Sequence, residues 1–293
     1  QPALFALEVS LYRQWQALGL RPAYVAGHSV GELAAAHVSG VLSLADAAKL
    51  VVARGRLMQA CDSSGIMASI DATEADVLGA LPSVPGRVTI AGLNGPQQTV
   101  ISGDRASVEA LVERFAAAGR RVRRLAVSHA FHSPHMDSML EALEAVARTC
   151  SFSEPDLACV STVTGALSTE LTSPLYWAQQ VRKPVRFHDA IRTLAGAGVT
   201  RFLECGPAGA LASMAAECMQ SGACFVSSLR KERDDSSSLL AAAGSLHVAG
   251  EAVDWSGLLA GRAVDGPTYP FQRTAYWQKP PTARVDLRGH GLE

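Results

Sequence analysis

Apolar positions at Leu4, Leu7, Leu11, Trp15 and Leu18 recur every three or four residues through QPALFALEVSLYRQWQAL. That is one face of an amphipathic helix already under way at Gln1, so the chain reads as a fragment of something longer. Arg21-Pro22 breaks the period, and AYVAG after it has the short apolar character of a buried parallel strand. A helix is predicted from about Val30, and SLADAAKLVVARGRLMQA predicts a second one capped by Ser43. Helix, strand, helix, helix is the opening of an α/β domain.

Past Cys61 the pattern changes. GIMASI reads as a strand, TEADVLGAL as a helix, GRVTIAGLN and QQTVISG as two strands joined at Asn94-Gly95, DRASVEALVERFAAAG as a helix, and RVRRLAV as a last strand. The order β-α-β-β-α-β is the ferredoxin-like unit, here a small subdomain at 63–127 inserted between two parts of the large one, 1–62 and 128–230. In the second part a helix is expected after Ser138, then the strand LACVSTVTG, helices near Pro174 to Val181 and Phe187 to Ala197, the strand TRFLECG and a helix from Ala208 to Met219. Residues 231–293 read as one further helix, SSSLLAAAGSLHVAG, and a proline-punctuated linker, GPTYPFQRTAYWQKP, whose four aromatics suggest that it lies on another surface.

A length of 293 residues is enough to bury a sizeable core, and 48% hydrophobic with 18% charged residues is a globular balance. With 26 Lys+Arg against 27 Asp+Glu, nothing in the charge points to nucleic acid or a membrane surface. No apolar run is long enough to span a bilayer. The six cysteines, Cys61, Cys150, Cys159, Cys205, Cys218 and Cys224, form no C-x-x-C pair and read as reduced thiols of a cytoplasmic protein, with no metal site.

Candidate chemistry begins at Gly27-His28-Ser29-Val30-Gly31, a G-x-S-x-G sequence set between a strand and a helix. In such an elbow the turn lifts the serine oxygen above the sheet and aims the next amide, that of Val30, at an oxyanion. The glycines read as the room the serine needs. A serine at its ordinary pKa needs a base. Of eight histidines, His129, His132 and His135 cluster in SHAFHSPHMD, where the insert returns to the large domain, and His132 is the candidate; a structural histidine is the alternative on these grounds alone. Asp137 reads as a helix N-terminal residue rather than a third triad member. Arg54 and Arg56 either extend to solvent or pair with a carboxylate, and periodicity alone favours solvent. The arginines of GRRVRR, Gly119 to Arg124, read as a solvated strand edge before a docking site for an acidic partner.

In GHSVGE, ARGRLM and HAFHSPHM the chain resembles, in order and spacing, the acyltransferase domains of modular type I polyketide synthases, relatives of the malonyl transacylase of fatty acid synthesis. The resemblance covers nearly the whole chain and implies an α/β-hydrolase-like large subdomain with a parallel sheet plus a ferredoxin-like insert. PTYPFQRTAYW resembles the linker that follows the acyltransferase in those megasynthases. It implies that Ser29 is acylated by a coenzyme A thioester, that His132, held by a backbone carbonyl, shuttles the proton, and that Arg54 pairs with the free carboxylate of the extender unit. The acyl group then passes to the phosphopantetheine thiol of an acyl carrier protein, with ketosynthase and other synthase domains as neighbours and no bound cofactor. Malonyl-selective members carry H-A-F-H, and this chain reads His129-Ala130-Phe131-His132; methylmalonyl-selective ones carry Y-A-S-H and often glutamine in place of Val30. Malonyl-CoA is therefore the expected donor. The family's opening strand and its glycine-glutamine loop, which supplies a second oxyanion donor, are expected to be missing here. CGPAG has Ala208 where many relatives carry histidine, and VDLRGHGLE is a candidate lead into a dehydratase domain. A serine hydrolase and an inactive structural fragment remain the alternatives.

Overall fold

This computed structural model describes residues 1–219, 222–259, 264–274 and 276–277. The chain divides into two units, Gln1–Leu258 and Leu259–Glu293. The first contains α1 (Pro2–Ala17), whose buried face is formed by Phe5, Val9, Leu11 and Trp15. The proline break leads into β1 (Tyr24–Ala26), followed by α2 (Gly31–Val38) and α3 (Leu44–Ala60). The α3 N-terminus is capped as its sequence predicts, the Asp46 amide donating to Ser43 Oγ at 3.0 Å.

The insert forms β2 (Ile66–Ile70), α4 (Glu74–Ala80), β3 (Val88–Gly95), β4 (Gln98–Gly103), α5 (Arg105–Ala117) and β5 (Val122–Arg124). Its antiparallel sheet has the order β3-β4-β2-β5, as a ferredoxin-like unit requires. The hairpin turn lies two residues later than Asn94-Gly95 suggests: Gly95 pairs with Gln98, so Pro96 and Gln97 make the turn and Asn94 stays in the strand. Ile70, Ile101, Leu111 and Phe115 fill the core beneath this sheet. Most of the basic stretch is neutralised within the insert, Arg121 meeting Asp71 at 2.7 Å and Arg124 meeting Glu109 at 2.9 Å.

The chain then returns through α6 (Leu140–Ala147), β6 (Ala158–Val160), α7 (Pro174–Arg182), α8 (Phe187–Gly196), β7 (Arg201–Glu204), α9 (Ala210–Glu217), β8 (Cys224–Ser227) and α10 (Asp235–Val248). Pairing is parallel, β1 with β6 and β7 with β8. Among the described residues these are two separate pairs rather than one sheet. A cleft of about 540 Å³, lined by β1, β7, Trp15 and Phe187, lies beside them and reaches His28 and Gly31. α10 packs Ala242, Ala243 and Leu246 against Trp15 and Leu18, so the first unit extends through residues that sequence alone assigns to a linker from 231. In the second unit Tyr269 and Phe271 meet edge to face at 5.2 Å. The VDLRGHGLE segment lies outside the described residues.

The insert is tied to the large part by main chain and side chain. Leu93 N donates to Val185 O at 2.8 Å and Val185 N to Ala91 O at 2.9 Å. The His135 side chain, fully enclosed, lies between Asp104 of the insert (Nε2 to Oδ1, 2.8 Å) and Asp62 at its entry (Nδ1 to Oδ2, 3.3 Å).

Candidate active site

Ser29 sits where β1 gives way to α2, and its φ of 53° is in the left-handed region. A non-glycine residue held there stores about 1–3 kcal/mol, which the surrounding fold must offset. Gly27 makes the turn possible: a Cβ there would lie 2.2 Å from the Gly31 carbonyl carbon and 2.3 Å from Glu32 N. Gly31 differs from the sequence expectation, since a Cβ would meet only Glu8 Oε1 at an ordinary 3.5 Å. The crowding is all on the strand side of the serine. Amides of Gly31, Glu32 and Leu33 donate to the carbonyls of His28, Ser29 and Val30, so the Val30 amide stands ahead of the first helical turn.

The structure brings His132 and Arg54 to this serine. His132 Nε2 lies 2.8 Å from Ser29 Oγ, and Nδ1 lies 2.9 Å from the Lys183 carbonyl. A carbonyl only accepts, so Nδ1 carries the proton and Nε2 faces the hydroxyl with its lone pair. His132 also has a left-handed φ, 55°. Burial and the nearby Arg54 cation push this imidazole down to about 3, so at neutral pH it is an uncharged base. Asp137 is elsewhere, paired with Arg182 at 2.7 Å.

Arg54 is 3% exposed, contrary to the solvated alternative, whereas Arg56 is exposed. Its Nη2 donates to Ser29 Oγ at 3.0 Å and its Nη1 to Gln1 Oε1 at 2.5 Å, while the buried Nε has no partner among the described residues. Burial lowers it to about 10, with Glu32 opposing, which leaves it cationic at pH 7. His129 and Phe131 meet with ring centroids 5.7 Å apart and planes tilted by 36°; His129 is buried, and Phe131 packs against both the large-domain core and the Met67, Ala91, Val100 cluster of the insert.

Three residues at the site were not anticipated. Gln180 donates to the Ser29 carbonyl at 2.7 Å, and Glu32 lies behind it. Asn94 Oδ1 is 2.9 Å from His28 Nε2, joining the insert to the elbow. The only sequence signal at Asn94 was the turn it was expected to make. Among the described residues no group of side chains could hold a metal ion, and no helix is long and apolar enough to cross a membrane.

A hydroxyl placed between an uncharged base and a buried cation, on a strained strand-to-helix turn, is a constellation suited to acyl transfer through serine. Residues 1–253 match the acyl transferase domain family. The chain is 49% identical over 284 residues to polyketide synthase GfsA of Streptomyces halstedii, covering 94% of this chain and 4% of that protein. It is 48% identical over 300 residues to the phenolphthiocerol synthesis polyketide synthase Pks15/1 of Mycobacterium marinum, covering all of this chain and 14% of the other. The solved acyltransferase domain from the second module of the salinomycin polyketide synthase superposes with a TM-score of 0.82 at 47% identity, over 86% of this chain and 60% of that one. The chain belongs to the acyltransferase domains of type I polyketide synthases. It spans only a small part of the synthases it matches.

Proposed function

We propose that this domain loads a malonyl unit from malonyl-CoA, through an acyl-Ser29 intermediate, onto the phosphopantetheine thiol of an acyl carrier protein. The observation that carries this reading is the state of Arg54: a buried guanidinium that touches the nucleophile and keeps an adjacent Nε–H without a partner among the described residues. Nε and Nη2 together form the fork that binds a carboxylate in two places. An acyl group attached at Ser29 and ending in a carboxylate satisfies that fork; an acetyl group leaves it unsatisfied.

His132 Nε2 takes the Ser29 proton as Oγ attacks the thioester carbonyl, and the Val30 amide at the start of α2 stabilises the oxyanion. Collapse breaks the carbon–sulfur bond, and the imidazolium returns its proton to the leaving thiolate. The Lys183 carbonyl accepts from Nδ1 throughout and holds the ring in place. A carrier-protein thiol then attacks the acyl-serine by the same steps, its proton passing through His132 to Ser29. Coenzyme A and phosphopantetheine enter as parts of the substrates, and the carrier protein and a neighbouring ketosynthase are the partners implied.

For the extender, Phe131 is fixed between two apolar clusters, and filling the space beside it with an α-methyl costs about 1–3 kcal/mol. To separate transfer from hydrolysis, the malonylated protein is isolated and its discharge followed with and without a carrier protein bearing free phosphopantetheine. Discharge that depends on the thiol is expected; equal discharge into water would make this a hydrolase.

A further inference from the structure

Glu32 takes no direct part in the chemistry above, yet it is fully enclosed, at 0% exposure, one helical turn from the nucleophile. Every contact to its carboxyl comes from a donor. Oε1 accepts from the Thr162 amide at 2.9 Å and from the Tyr176 hydroxyl at 2.6 Å. Oε2 accepts from Gln180 Nε2 at 3.1 Å and lies 3.2 Å from Thr162 Oγ1, a hydroxyl shared with the Gly27 carbonyl at 2.9 Å. The Tyr176 hydroxyl, committed as a donor to Glu32, accepts from Ser161 Oγ at 2.6 Å. Burial drives the carboxyl upward and the four donors oppose it.

The Gln180 side chain is what carries Glu32 to the reacting atoms. Its amide donates to both Glu32 and the Ser29 carbonyl, and its Oε1 receives Arg54 Nη2 at 3.5 Å. An amide has a fixed sense: with its nitrogen held by an acceptor-only carboxylate, its oxygen must face the arginine. Reversing it would set the NH2 group against the guanidinium and the oxygen against the Ser29 carbonyl. We propose that Glu32 is a positioning residue for specificity: by fixing the sense of Gln180 it aims Arg54 at the acyl site and so sets the preference for acyl thioesters that end in a carboxylate.

A purely structural Glu32, tying α2 to Thr162 and α7, would slow all substrates alike. A positioning Glu32 acts on the carboxylated class. This rests on the Ser29 and Arg54 roles proposed above, and the experiment separates the two. Second-order acylation rates with malonyl-CoA and acetyl-CoA are measured by intact mass for the wild type, Glu32→Gln, Arg54→Ala and the double variant. Glu32→Gln should reduce the malonyl rate about 10- to 100-fold, inside the roughly 2- to 160-fold span of coupling within one hydrogen-bond network, while the acetyl rate changes less than about threefold. In the Arg54→Ala background the same substitution should leave the malonyl-to-acetyl ratio within about twofold. If Glu32→Gln does not fold, Gln180→Met cuts the path while leaving Glu32 three of its donors, and should collapse the ratio equally. A ratio unchanged in Glu32→Gln or Gln180→Met, or multiplicative losses in the double variant, overturns the proposal with the acyltransferase reading intact. A folded wild type that forms no Ser29 adduct with either thioester removes both.

Discussion

An imidazole lowered to about 3 makes a sharp prediction about pH. At pH 5 such a base is about 99% uncharged, whereas an ordinary histidine near 6.5 would be about 3% uncharged. Because kcat/KM reports the free protein's ionisations, acylation of Ser29 should change less than about twofold between pH 8 and pH 5 if His132, the proposed base, is lowered in this way, and fall about 30-fold if it titrates ordinarily. The assay is single-turnover acylation by malonyl-pantetheine, which carries no phosphate that titrates in this window, read by intact mass. The unfolded chain binds this proton near 6.5 and the folded chain only near 3, so acid favours unfolding between those values, and circular dichroism at each pH must accompany the rates. Arg54→Met removes the second-largest of the causes, after burial, and should move the acid limb upward, towards the ordinary histidine range. A wild-type limb centred near 6.5 on folded protein would refute the burial argument for His132.

At the elbow, Gly27→Ala places a methyl on the Gly31–Glu32 peptide and should cost about 3 kcal/mol or more in denaturant unfolding, while Gly31→Ala should be nearly silent. Equal effects would contradict the crowding described. Phe131→Ser combined with His129→Tyr should erase most of a roughly 10- to 200-fold preference for malonyl- over methylmalonyl-CoA in competition, and an unchanged product ratio would sink the packing explanation. Asp104 is held below the usual carboxylate range by the Arg87 amide first, and by His135 and the Arg87 charge as well. Its contribution is therefore present above about pH 4 and lost as pH falls through its lowered value, so the gap in thermal midpoint between wild type and Asp104→Asn should close below about pH 4. A gap that persists into stronger acid would contradict this.

Much of the fold was written in local pattern: the 3.6-residue period of α1, the proline break before β1, and the βαββαβ order of the insert. Other features depended on partners far along the chain. The four residues of β8 are too few to show alternation, and the separation of the parallel strands into two pairs has no local signal. Asn94 carries a strong turn signal, but Pro96 and Gln97 take the turn and leave its side chain free to meet His28. At the site, G-x-S-x-G and the histidine cluster pointed to Ser29 and His132. Arg54 could have been separated from Arg56, since it shares a helix face with Leu50, Val51 and Met58, all buried. Glu32 closes the GHSVGE motif, but its burial and its link to Gln180 have no local signal, because Thr162, Tyr176 and Gln180 reach it across more than a hundred residues.

Ser29 as an acylated nucleophile for a carboxylated extender is the central claim. It is tested most directly by intact mass after mixing the domain, within its parent polypeptide or alone, with equal malonyl- and methylmalonyl-CoA, beside Ser29→Ala. A malonyl adduct that disappears in Ser29→Ala is the predicted result. Folded protein that gains no adduct, or an adduct that survives the loss of Ser29, would contradict it.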